Sequence, residues 1–114
     1  MLRSRIVNNE RLILYNDKYD GLGITKYYYP LHPRAWNYVA IRLSLPPRAR
    51  YVRATGWSDG WNGTGMFLKN ITRMTRAEFR ALYEELAELI KKGEHARAIE
   101  RFHEIYDRFL EDLW

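Results

Sequence analysis

The chain has 114 residues, 46% of them hydrophobic and 29% charged, and no cysteine. That length fits one domain and excludes a large multidomain enzyme, while the missing thiols exclude a disulfide scaffold and a Cys-ligated zinc or iron–sulfur centre. The net charge of +5 points toward polyanions; no apolar run is long enough to cross a bilayer, and Met1 to Asn9 lack the apolar core of a secretion signal, so a cytoplasmic protein without a membrane partner is expected.

In chain order, Arg11 to Tyr15 and Ile24 to Tyr29 read as two strands joined by the turn formers of Asn16 to Gly21. Leu31 to Arg34 reads as a loop. The clearest strand is Trp36 to Leu45, in which Val39, Ile41, Leu43 and Leu45 alternate with smaller or polar residues at period two. Pro46 and Pro47 end it, because proline donates nothing to a ladder. Arg50 to Trp57 follows as a strand, and Gly65 to Ile71 is a candidate fifth. Between them, four glycines in the ten residues from Gly56 to Gly65 make a long hairpin connection around Asp59 and Gly60, or an arm that carries Trp61 over a ligand.

Residues 75–114 read as a helical hairpin. Thr75 stands three residues before Glu78, the capping-box spacing, and Met74 and Phe79 hold the two staple positions around that cap. Phe79, Leu82, Tyr83, Leu86, Leu89 and Ile90 recur at helical spacing, and Gly93 is the left-handed stop after Lys91 and Lys92. Ile99, Phe102, Tyr106, Phe109 and Leu113 form a heptad-like seam in the second helix. With Trp114 they are the expected interface of a homodimer. The hairpin resembles a single tetratricopeptide-type unit, since Gly93, Ala98 and Phe102 fall at that repeat's turn glycine, small residue and aromatic. Ile105 replaces the second small residue and the closing proline is missing. A lone unit builds no solenoid, so the resemblance implies helix-pair packing only.

The fold expected is α+β: a single domain over residues 1–114, with an antiparallel sheet of four or five strands in residues 1–74 and the two-helix hairpin after it. Leu12, Leu14, Val39, Ile41, Leu43 and Val52 should be buried under one helix face. The charge follows this division, with a net of +8 in residues 1–74 and −3 in residues 75–114. The acidic helices, through Glu84, Glu85, Glu88, Glu100, Glu104 and Glu111, can neutralise the basic body within the chain or between subunits. Depletion of Gln and Cys beside many charges suits a thermophile.

Strand phase locates the candidate site. If the apolar positions point to the core, then Trp36, Tyr38 and Arg42 on one strand and Tyr51, Arg53 and Trp57 on the next point away from it. Aromatic rings stack on unpaired bases, and guanidinium groups pair with phosphates and stack on base planes. Arg50 and Trp61 complete the expected binding set of Trp36, Tyr38, Arg42, Arg50, Tyr51, Arg53, Trp57 and Trp61. Six cations on a single-strand backbone would give log K a salt slope of about −4. Tyr27 and Tyr29, on one face of their strand, can extend the stacking surface.

Signals for catalysis are thin. The glycine loop matches neither the phosphate-binding loop nor the dinucleotide fingerprint. His103 and Glu104 are not followed by the histidine that a zinc-protease helix needs, and no acidic cluster or nucleophile–base pair stands out. No metal or cofactor is expected. The expected function is therefore non-catalytic binding of nucleic acid, single-stranded DNA or RNA favoured, because duplex readers offer a basic helix and these helices are acidic. In layout the chain is similar to the small archaeal single-strand binders called ThermoDBP, through the Trp36 to Trp57 segment and the closing helix. Two alternatives stay open: a protein-interaction module acting through the C-terminal helices, and a metal-independent ribonuclease using His32.

Overall fold

The computed structural model describes residues 2–29, 38–59 and 68–113, without the side chains of residue 38, 58–59, 68–70 and 109–113. The strands are β1 (Leu2–Arg3), β2 (Glu10–Asp17), β3 (Gly21–Tyr28), β4 (Tyr38–Leu45), β5 (Tyr51–Asp59) and β6 (Leu68–Thr75); the helices are α1 (Arg76–Lys91) and α2 (His95–Leu113). The α+β class stands. The sheet has six strands rather than four or five, in the order β1-β2-β3-β4-β5-β6 with every neighbouring pair antiparallel. The added strand is β1, too short to show a period in the sequence. It is held by a small hairpin in which Asn8 and Asn9 take positive φ, 51° and 67°, as a two-residue primed turn requires. Ser4 fastens it, giving its N–H to the Leu12 carbonyl and accepting the Leu12 N–H at its hydroxyl.

Both helices pack on one face of the sheet. The core between them holds Leu12, Leu14, Ile24, Leu43, Leu45, Val52 and Met74 from the strands and Phe79, Leu82, Leu86, Ile90, Ala98, Ile99 and Phe102 from the helices. Val39 departs from expectation. It lies on the core side of β4 but is 44% exposed, beside Tyr28 and beyond the reach of the helices, while Ile41 is half-buried. Along β4 the cover is full at Leu43 and Leu45, partial at Ile41 and lost at Val39.

The helix signals act as read. Thr75 is extended, with φ −81° and ψ 168°, and its hydroxyl accepts the Glu78 N–H. That hydroxyl in turn donates to the Glu78 carboxylate at 3.1 Å, where a reciprocal capping box would bring the carboxylate to a backbone N–H. Gly93, at φ +80°, closes a Schellman motif: its N–H reaches the Ile90 carbonyl and the Glu94 N–H reaches that of Leu89. The helix pair that resembles a tetratricopeptide unit thus rests on a sheet, with Ala98 and Phe102 buried there.

One polar cluster sits within this apolar layer. Lys26 on β3 is only 6% exposed. Its Nζ donates to Glu10 Oε1 at 2.9 Å, and His103 Nε2 lies 2.7 Å from the same oxygen. The cluster joins β2, β3 and α2, and it satisfies a cation that the core would otherwise exclude. Burial works to raise the Glu10 pKa; the hydrogen bonds and charge of Lys26 and His103 outweigh it and hold the carboxyl below its ordinary value.

Candidate functional site

The opposite face of the sheet carries no described helix or strand. Cross-strand pairing puts its residues in rows, because directly paired residues share a face. One row is Arg11, Tyr27, Ala40 and Trp57; the next is Arg3, Ile13, Thr25, Arg42 and Thr55; the third is Tyr15, Gly23, Ser44, Arg53 and Ile71. The phase read from the sequence therefore holds: Arg42, Arg53 and Trp57 share this face.

Arg42 is at its centre. Its Cζ lies 5.1 Å from the centroid of the Tyr15 ring and 5.1 Å from that of Trp57. Its Nε donates to the Thr25 hydroxyl at 3.2 Å. The guanidinium is thus oriented by two cation–π contacts and a hydrogen bond rather than by a carboxylate. Trp57 meets Tyr27 edge to face at 6.4 Å, and Tyr27 stacks on Tyr29 at 6.2 Å. Four aromatic side chains and one arginine form a connected layer.

Gly23 makes this geometry possible. Tyr15 and Gly23 are paired across β2 and β3, and a Cβ on Gly23 would overlap the Tyr15 ring atoms. The phenol lies across the bare backbone of β3 and so reaches Arg42 on β4. Its hydroxyl is buried with no hydrogen-bond partner among the described residues, and burial pushes its pKa up to about 12, against the opposing charge of Arg42.

Two grooves flank Arg42, each of about 590 Å³. The one toward β5 is lined by Asp20, Ser44, Pro46, Arg53, Thr55 and Trp57 with Arg42; the one toward β2 includes Arg3, Tyr15, Asp17, Asp20, Thr25 and Tyr27. Past Arg53, β5 leads back to Tyr51, 45% exposed, and to the exposed Arg50 in the turn before it. Arg76 at the start of α1 pins that turn, donating to the carbonyls of Pro46 and Ala49. Arg48 within it takes a positive φ of 71°.

The charge division of the sequence becomes a division between faces. The ion pairs of Glu85, Glu88, Glu100 and Glu104 are made with Arg101, Lys91 and Arg97, all on the helices. Among the described residues, Arg42, Arg50 and Arg53 form no ion pair with the helices or with any other element.

Of the remaining expected residues, Trp36, Trp61 and the side chain of Tyr38 lie outside the described residues, as do His32, Trp114 and the side chains of Phe109 and Leu113. The expected dimer seam is corrected at its first two positions. Ile99 and Phe102 are buried in the chain's own core, because α2 uses that face to cover the sheet, and Tyr106 stacks on Phe102 at 5.7 Å. His103 is bound to Glu10. The binding set in turn omits Tyr15, Gly23 and Thr25. The phase of β2 carries the signal for Tyr15: with Leu12 and Leu14 inward, Arg11, Ile13 and Tyr15 point outward.

No family model, curated protein or solved structure matches this chain. Among the described residues no group of histidines and carboxylates is placed to hold a metal ion, and no helix is long and apolar enough to cross a membrane.

Proposed function

We propose that this protein binds single-stranded nucleic acid on the helix-free face of its sheet, without catalysis. The observation that carries the reading is the Arg42 guanidinium held over the Tyr15 and Trp57 rings on that face. A strand laid across it meets rings that stack on bases and an arginine already held in place by Tyr15, Trp57 and Thr25. Arg53, Arg50 and the pinned turn continue the positive track for phosphates. Duplex is disfavoured because its bases are stacked on each other and cannot reach the rings, and because the helices that would enter a groove are acidic.

The test is tryptophan fluorescence titration with a single-stranded oligonucleotide at two salt concentrations, with duplex as control. Quenching that prefers the single strand, weakens steeply with salt and is lost in Trp57→Ala supports the reading. No quenching at low salt would refute it.

A further inference from the structure

Asp20 is out of place on a face that attracts phosphate. It lines both grooves beside Arg42, yet it forms no ion pair with that arginine. Its backbone N–H donates to Asp17, which secures the β2–β3 turn, but its carboxylate has no hydrogen-bond partner among the described residues. A carboxylate here repels the phosphate backbone, so its presence selects something else. What it accepts is N–H.

Resting on the single-strand reading above, we infer that the groove between Asp20 and Arg42 takes an unpaired guanine. Guanine alone among the bases sets two adjacent N–H donors, N1 and N2, beside the acceptors O6 and N7. A carboxylate accepts the first pair, and a guanidinium donates to the second. Thymine and uracil flank their single ring N–H with two carbonyl oxygens, which a carboxylate repels. Cytosine and adenine offer one amino group next to a ring acceptor. Trp57 supplies the stacking ring in the groove toward β5, and the Ser44 and Thr55 hydroxyls line the same groove.

The experiment is a fluorescence titration with short oligothymidylates carrying one central guanine, adenine, cytosine or hypoxanthine. A single guanine avoids four-stranded assembly. The guanine oligonucleotide should bind at least about fivefold tighter than plain oligothymidylate, with hypoxanthine, which lacks the N2 amino group, in between. In Asp20→Ala the ratio of guanine to thymine affinity should collapse toward one, with circular dichroism showing the fold retained. Equal binding of all the oligonucleotides, or a guanine preference that survives Asp20→Ala, overturns the inference and leaves the single-strand reading standing. No binding of any oligonucleotide at low salt overturns both.

Discussion

Gly23→Ala tests the construction of the site most directly, because its sign depends on one contact. Alanine in a strand is ordinarily more favourable than glycine by roughly 0.5–1 kcal/mol, through the lower entropy of the unfolded chain. At Gly23 the new methyl would occupy the space of the Tyr15 ring. Overpacking of this kind costs about 1–3 kcal/mol, and moving the ring off Arg42 forfeits a cation–π contact of about 0.5–1 kcal/mol. The net expectation is a loss of about 1–2 kcal/mol, or at least about 4 °C in Tm. In a Tyr15→Ala background the overlapping ring is gone, and the same substitution should stabilise by the ordinary ~0.5–1 kcal/mol. A double-mutant cycle by urea denaturation reads a coupling of about 2 kcal/mol between the two positions. Gly23→Ala that stabilises the wild-type chain would refute the placement of the tyrosine across β3, and with it the support of Arg42.

Arg42→Lys keeps the charge and loses the planar group, so oligonucleotide affinity should fall about tenfold while the salt slope is preserved; Arg42→Ala should also make the slope shallower by about 0.7. Tyr15→Phe removes a buried hydroxyl that has no partner among the described residues and should be neutral or slightly stabilising at neutral pH. The Tyr15 pKa is raised from 10 to about 12, so its contribution is complete below pH 10 and is lost as pH rises toward about 12; Tyr15→Phe should flatten that alkaline limb in pH-dependent denaturation. Glu10 is shifted the other way: its contribution is present above the unfolded value of 4.5 and fades as pH falls through the lowered folded value, so Glu10→Gln should flatten the acid limb of the same curve. Phe102→Ala should cost about 3–5 kcal/mol in a monomer-favouring dilution series, since Phe102 fills the chain's own core; a loss confined to high protein concentration would restore it to a subunit contact.

The local chemistry of the sequence determined the elements. The alternation of Val39 to Leu45 set the phase of β4, and so assigned Arg42 to the face away from the core. Thr75, Met74, Phe79 and Gly93 set both ends of α1, because caps and staples act within a few residues. The division of charge was equally legible as a count. Tertiary structure alone decided what those signals were for. A heptad-like seam looks the same whether it meets a second subunit or the chain's own sheet, and here Ile99 and Phe102 meet the sheet. Lys26 reads as a surface cation until Glu10, distant in sequence and held also by His103, neutralises it inside. Tyr15 and Gly23 carry no joint signal as letters. Only antiparallel pairing sets a ring opposite a bare backbone, and only the adjacent strand then brings Arg42 beneath that ring. Register is a long-range property, and the centre of this face is built from register.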